Sequence, residues 1–168
     1  MNDDVSGMAP DEVARLSGLL RPRGWMLATA ESCTGGLIAA ACTAVSGSSD
    51  WFERAFVSYS NEAKADMLGV DPAQIAAHGA VSEVVARAMA HGAVRHSRAR
   101  VGIAVTGIAG HTGGSADKPV GTVWFGFMVD GRLSSETQRF DGDRAAVRAA
   151  TVRHALRRAA QLVEATEE

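Results

Sequence analysis

The chain has 168 residues and a net charge of −2, with 46% hydrophobic and 21% charged residues. This length fits one domain better than two, and the composition is that of an ordinary globular protein. A chain without excess positive charge is poorly suited to neutralise a phosphate backbone, so we expect no nucleic-acid binding. The sequence has neither an apolar run of roughly 18 residues nor the pattern of a signal peptide. We therefore expect no membrane association and a cytoplasmic location.

The spacing of apolar residues predicts helices that alternate with strands. After a loose tail over residues 1–8, helices are predicted over 11–20, 37–45, 61–68, 83–96 and 144–165, and strands over 25–30, 56–59, 101–105, 120–129 and 132–140. Asp130-Gly131 is a hairpin turn signal between the last two strands. This order predicts a single α/β domain over residues 9–168, with a mixed β-sheet and helices on both faces.

A glycine-bearing turn over residues 31–36 joins the first predicted strand to a helix. Backbone N–H groups at a helix start favour an anion. Gly35 and Gly36 leave room for a ligand to come close, and Ser32 and Thr34 place hydroxyl groups at the same point. The turn is a candidate site, and the alternative is that Ser32 or Thr34 merely caps the helix.

A second glycine-rich loop, over residues 106–114, leaves the predicted strand 101–105. Ligands in open α/β sheets bind near the carboxyl ends of the strands, so the two glycine-rich segments are expected to meet there. Thr106 and Gly107 begin this loop. Neither segment matches a P-loop or a dinucleotide fingerprint, and a flexible surface loop is the alternative interpretation.

Lysine and tyrosine are rare in this chain, which has two Lys among 17 basic residues and a single Tyr, Tyr59. With Asn61 as the predicted N-cap, Lys64 lies at the third helical position, where the helix dipole favours the neutral amine. A neutral lysine near a serine can act as its base. The alternative is a solvated surface lysine, and Glu62 beside it could pair with Lys64 and raise its pKa.

The cysteines and histidines do not indicate a metal site. Cys33 and Cys42 form no CxxC motif, and the five histidines lack the spacing of metal ligands. We therefore expect two free thiols, no metal and no cofactor. Cys33 is nevertheless a rival nucleophile to its neighbour Ser32, because a thiol beside a helix start can be reactive.

Six motifs follow one another along the chain: TAESCTGG at 29–36, WFER at 51–54, YSNEAK at 59–64, HGAVS at 78–82, TGIAG at 106–110 and KPVGTV at 118–123. Together they resemble the CinA C-terminal-domain family over about residues 10–160. The chain looks like a stand-alone member of the nicotinamide mononucleotide deamidase type, without the nucleotide-related N-terminal domain of longer relatives. One departure is His111-Thr112, which stands between glycines where the family has Pro-Asp, and it puts the shape of this loop in question.

The resemblance implies an enzyme that hydrolyses the carboxamide of nicotinamide mononucleotide, giving nicotinic acid mononucleotide and ammonia in pyridine nucleotide recycling. It also implies a serine nucleophile assisted by lysine and tyrosine, which are Ser32, Lys64 and Tyr59 in this chain. Ser32 would attack after giving its proton to Lys64, directly or through Tyr59, and backbone N–H groups near 34–36 or Gly107 would hold the oxyanion.

Further residues are predicted to bind the nucleotide substrate: Thr34, Gly35, Gly36, Asn61, Thr106, Gly107 and Arg148, with Arg144 as another candidate for the 5′-phosphate. A non-catalytic nucleotide-binding or interaction module of the same fold is the main alternative. An amidase for a different substrate is a third interpretation. Whether the chain forms a homo-oligomer is left open by the sequence.

Overall fold

The computed structural model describes residues 8–167. Within them the chain forms six α-helices and five strands: α1 (Pro10–Arg23), β1 (Leu27–Glu31), α2 (Leu37–Thr43), β2 (Phe52–Val57), α3 (Asn61–Leu68), α4 (Pro72–His78), α5 (Glu83–Arg95), β3 (Val101–Gly107), β4 (Thr122–Val129), β5 (Arg132–Arg139) and α6 (Arg144–Glu164). Except for Met8, the predicted tail over residues 1–8 lies outside the described residues. None of the described helices is long and apolar enough to cross a bilayer.

The five strands form one mixed sheet in the order β2-β1-β3-β4-β5. β1 is parallel to β2 and β3, whereas β4 pairs antiparallel with β3 and β5. Asp130 and Gly131 turn the chain between β4 and β5 with positive φ angles of 49° and 82°, as the predicted hairpin requires. The prediction of a mixed α/β sheet is confirmed.

Helices cover both faces of this sheet, as predicted, because side chains alternate along each strand. Val101, Ile103 and Val105 of β3 pack with residues of α1, α2 and α6 in one core cluster. On the other face, small residues such as Ala104 let α5 pack closely, and a Cβ atom on Gly126 would lie 2.2 Å from the carbonyl oxygen of Ala86.

The structure departs most from the predicted elements in the second strand and in a helix that was not predicted. The second strand runs over Phe52–Val57 rather than 56–59, so Tyr59 lies in the loop after it. Helix α4 was not predicted from the sequence. At its start, Asp71 accepts a hydrogen bond from the backbone N–H of Ala73, and Pro72 occupies the first helical position. A strand at the edge of a sheet is only half-buried, and this weakens the hydrophobic pattern by which a strand is located.

The parallel strands place the chemistry-bearing segments at one edge of the sheet. Because β1, β2 and β3 point the same way, the turn after β1, the segment between β2 and α3, and the loop after β3 leave the sheet at the same edge. This is the edge where open α/β sheets bind their ligands.

Candidate active site

Ser32 lies directly after β1, in a turn whose backbone conformation favours glycine at two positions. Its backbone N–H donates to the carbonyl of Val105 on β3, and its own carbonyl accepts from Gly35, both at 3.1 Å. Gly35 and Gly36 have φ angles of 58° and 105°, in the left-handed region that other residues rarely adopt. The Ser32 side chain is thereby fixed at the end of the strand, with 8% of its surface exposed.

Glu31 occupies the helix start at which we predicted an anion from a ligand. Its fully buried carboxylate accepts hydrogen bonds from the backbone N–H groups of Ile38 and Ala39, both at 2.9 Å, and from the Thr34 hydroxyl at 2.6 Å. The chain itself therefore supplies the anion for the N–H groups of Ile38 and Ala39, and substrate binding by Thr34, Gly35 and Gly36 stays a prediction.

The capping alternative for Ser32 and Thr34 is wrong, since no side chain caps α2 at its N-cap position, Gly36. Thr34 donates its hydroxyl to Glu31 instead. The sequence did carry a signal for this arrangement, an acidic residue directly before the turn, but its role depends on how the turn folds back.

Lys64 reaches Ser32 from α3. Ser60, rather than the predicted Asn61, is the N-cap of this helix and accepts a hydrogen bond from the backbone of Ala63 at 3.0 Å. Lys64 is therefore the fourth helical residue, one position later than predicted, and its side chain points inward with only 1% exposed. Glu62 is exposed and forms no ion pair with Lys64 among residues 8–167.

Three acceptors surround the Lys64 amine. The Nζ atom lies 3.0 Å from the Oγ atom of Ser32, 3.1 Å from the carbonyl oxygen of Ser58 and 2.9 Å from that of Tyr59. The predicted proximity of Ser32 and Lys64 is confirmed. Burial lowers the pKa of Lys64 from its usual value, since a desolvated ammonium group is unfavourable.

The two carbonyl groups match the neutral form of this amine. A neutral amine has two N–H donors and one lone pair, and the donors can go to Ser58 and Tyr59. The lone pair is then left to accept the hydroxyl proton of Ser32, which is the arrangement that a general base needs.

Cys33 is buried in a way that does not favour its reactivity. Desolvation raises the pKa of its thiol to about 12, so the thiol stays protonated near neutral pH. Since the thiolate is the reactive form, Cys33 is a poor competitor to Ser32.

Tyr59 contributes its main-chain carbonyl group to this contact, and its side chain is largely exposed. Its carbonyl oxygen lies next to both Lys64 and Ser32, whereas the residue is 63% exposed. Among residues 8–167, the Tyr59 hydroxyl has no hydrogen-bond partner. The predicted proton relay through the phenol is therefore absent from this arrangement, and a role for Tyr59 in the reaction stays a prediction.

Ser32 and Lys64 open onto a cleft of about 250 Å³. Six of the ten predicted site residues line it: Ser32, Tyr59, Asn61, Lys64, Thr106 and Gly107. The remaining lining residues are Cys33, Ala80, Val81, Ala109 and Arg144. Ala80, Val81 and Ala109 belong to the HGAVS and TGIAG motifs but have no reactive side chains, so their position in the wall of the cleft is seen only in the fold.

Arg148 and the glycines of the turn do not line the cleft. Arg148 reaches from α6 to the back of the turn, where its guanidinium donates to the carbonyl oxygens of Cys33 at 3.1 Å and Thr34 at 3.0 Å. Thr34, Gly35 and Gly36 form the turn itself, so these four residues support the position of Ser32 in this structure.

Arg144 and Thr106 shape the opposite wall. The guanidinium of Arg144 donates to the carbonyl oxygen of Gly110 at 2.8 Å, and the hydroxyl of Thr106 donates to the carbonyl of Ala80 at 2.9 Å. Arg144 is the one guanidinium among the lining residues. No group of three or more His, Cys, Asp or Glu side chains that could hold a metal occurs in the part of the chain that the structure describes.

Comparison with known proteins identifies the family of this chain. The sequence model of the CinA C-terminal domain matches residues 11–163. The chain belongs to the CinA C-terminal domain family. The family resemblance stated from the six motifs is therefore confirmed.

Relatives in this family differ in length. The chain is 54% identical over 134 residues to a protein of Enterobacter agglomerans named nicotinamide-nucleotide amidohydrolase PncC, covering 79% of this chain and 82% of the relative. It is 52% identical over 153 residues to a CinA-like protein of Syntrophobacter fumaroxidans. That match covers 90% of this chain but only 36% of the relative, so the chain spans about a third of the longer protein.

A solved structure supports the fold as well. The competence/damage inducible protein CihA from Agrobacterium tumefaciens superposes with a TM-score of 0.88 at 45% identity, over 95% of this chain and 96% of the other. An α/β domain of this family is thus shown by sequence and by structure.

Proposed function

We propose that this chain hydrolyses the carboxamide of nicotinamide mononucleotide to nicotinic acid mononucleotide and ammonia. The relative from Enterobacter agglomerans is named a nicotinamide-nucleotide amidohydrolase and matches over most of both chains. The observation that carries the proposal is the 3.0 Å contact between Ser32 Oγ and the buried amine of Lys64, which is suited to acyl transfer.

The reaction begins with attack on the amide carbon. Lys64, as the neutral amine, takes the hydroxyl proton of Ser32 while Oγ forms a bond to the carbonyl carbon of the substrate. The protonated Lys64 then gives this proton to the departing NH₂ group, which leaves as ammonia. Water, activated by the same amine, hydrolyses the resulting ester and restores Ser32.

The oxyanion needs donors that the fold has not already used. Gly35 donates its backbone N–H to Ser32, and Ile38 and Ala39 donate theirs to Glu31. The backbone N–H of Cys33 has no oxygen acceptor within residues 8–167, and Cys33 lines the cleft next to the nucleophile. We assign the oxyanion to this N–H group, which follows the nucleophile directly.

Arg144 is the group best placed to hold the substrate phosphate. It lines the cleft beside Ala109, and within residues 8–167 only its Nη1 atom forms a hydrogen bond, to the carbonyl oxygen of Gly110. A guanidinium offers five N–H donors, so most of them remain for an anion. Asn61 and Thr106 line the same cleft and remain proposed substrate contacts.

The experiment that tests this function is ammonia release from nicotinamide mononucleotide, with free nicotinamide as the control substrate. We expect turnover of the mononucleotide only, because Arg144 has no phosphate to bind in nicotinamide. No ammonia from either compound would refute the proposal. The contact of Ser32 with a buried lysine gives no support to the alternative of a non-catalytic module. A cytoplasmic location fits the proposed substrate, and homo-oligomer formation stays a prediction.

A further inference from the structure

A second concave surface, separate from the catalytic cleft, carries a cluster of cationic and imidazole side chains. It is a groove of about 400 Å³ between α5, the end of α3 and β5, and its lining residues are Leu68, Gly69, Arg87, Ala88, His91, Arg95, His96 and Leu133. None of these residues lines the catalytic cleft. Asn61 in the cleft and Leu68 in the groove lie at opposite ends of α3, about 10 Å apart along the helix.

The basic residues of the groove follow the helical repeat. Arg87, His91 and Arg95 are spaced four residues apart on α5, so their side chains line one face of the helix. Arg95 in the last turn of α5 interacts favourably with the helix dipole, but this reason does not extend to Arg87, which lies two turns earlier.

These side chains have few protein partners. Arg95 and His91 form no hydrogen bond or ion pair among residues 8–167. Arg87 donates to the hydroxyl of Ser135 at 3.0 Å, and this hydroxyl in turn donates to Glu83 at 3.2 Å. Glu83 is thus bonded to Ser135 and forms no ion pair with Arg87 among residues 8–167, and no carboxylate is among the lining residues. The groove keeps its positive charge.

We propose that this groove binds a phosphate-bearing small molecule of mononucleotide size. The guanidinium groups of Arg87 and Arg95 supply the planar donors that suit a phosphate. Leu68, Ala88 and Leu133 supply an apolar wall for the remainder of the ligand. The volume of the groove, about 400 Å³, falls in the range of small-molecule sites. This volume is larger than an isolated phosphate ion needs.

The test is calorimetric titration of the full chain with adenosine 5′-monophosphate, compared among four proteins. We expect saturable binding by the wild type, weakening of about tenfold or more in Arg95→Gln, and unchanged binding in Arg153→Gln. Arg153 is the matched control, because it is an exposed arginine on α6, on the opposite face of the sheet. The fourth protein, Arg144→Gln, reports binding in the catalytic cleft and should keep the groove's affinity.

Two results would overturn the proposal. One is the absence of saturable binding by the wild type. The other is binding that Arg144→Gln removes and Arg95→Gln leaves intact, which would place the ligand in the cleft. A parallel titration with inorganic phosphate should give affinity about tenfold lower or weaker still, and equal affinity would contradict the assigned apolar contact. The titration measures binding and not turnover, so a failure to detect binding in the groove would not contradict the proposed amidase activity.

Discussion

The amine of Lys64 lies 3.0 Å from the hydroxyl of Ser32 and is held there by the carbonyl oxygens of Ser58 and Tyr59. Both carbonyl groups belong to the segment between β2 and α3, so the backbone of this segment positions the amine of Lys64. The lysine is almost wholly buried, whereas Glu62, two residues earlier, is exposed and the adjacent Ala65 is partly exposed. Because the Lys64 side chain is buried against Ser32, we propose it as the base.

The rate of ammonia release should rise with pH through the lowered pKa of Lys64, because only the neutral amine accepts the Ser32 proton. Lys64→Arg should lose turnover at every pH, since a guanidinium stays protonated. The measurement is kcat/KM for nicotinamide mononucleotide between about pH 6 and pH 10, a range that lies below the unperturbed lysine pKa of about 10.4. An active Arg variant would show that a fixed positive charge suffices.

The buried lysine should also affect stability. Its pKa is lowered in the folded state, so the unfolded chain binds more protons between the folded pKa and the unfolded value of about 10.4. The stability of the wild type relative to Lys64→Met should therefore rise as pH increases through this window, and it should be flat below the folded pKa. Urea unfolding of both proteins at several pH values measures the difference. A difference that stays constant up to pH 10 would contradict the lowered pKa.

Tyr59→Phe should retain turnover within about tenfold of the wild type. The variant keeps the backbone carbonyl that holds Lys64, and it removes a hydroxyl that has no partner within residues 8–167. A tenfold change corresponds to roughly 1.4 kcal/mol of transition-state energy. The check is kcat and KM for both proteins. A loss of several hundredfold in kcat would show that the phenol moves into the cleft and takes part in the reaction.

Glu31→Gln should destabilise the fold by about 1.5–3 kcal/mol, the usual range for a hydrogen bond to a charged group. The amide cannot accept from both Ile38 and Ala39, because its NH₂ group would face one of their N–H donors. Chemical denaturation measures the change, with the exposed Glu62→Gln as the control, expected within about 0.5 kcal/mol of the wild type. Equal stability of both variants would show that Glu31 does not hold the start of α2.

The sequence predicts most of the fold and the central pair of the site. Strong apolar runs locate β3 and β4, and the parallel order brings the segments after β1 and β2 together, so the approach of Ser32 to Lys64 follows from the pattern. The sequence does not show that Ser60 is the N-cap of α3, because serine and asparagine are both good N-cap residues and only the backbone conformation distinguishes Ser60 from Asn61.

Other roles depend on tertiary contacts that no local pattern contains. Arg148 is 114 residues from Thr34 in the sequence, and only the packing of α6 behind the turn brings its guanidinium to that carbonyl. In the same way, Glu31 precedes a glycine-rich turn that suggests an empty anion site, and the fold directs its own carboxylate there. Spacing identifies candidate residues, but long-range packing decides which of them line the cleft.

The most direct measurement is ammonia release from nicotinamide mononucleotide by Ser32→Ala and by its neighbour variant, Cys33→Ala. We expect Ser32→Ala to lose at least about a thousandfold in kcat, because the nucleophile is removed from a set of cooperating groups. Cys33→Ala should stay within about tenfold of the wild type, because burial raises the pKa of that thiol to about 12. Circular dichroism and urea unfolding establish that both variants fold. Near wild-type turnover by folded Ser32→Ala, or loss of turnover in Cys33→Ala alone, would contradict the assignment of Ser32 as the nucleophile.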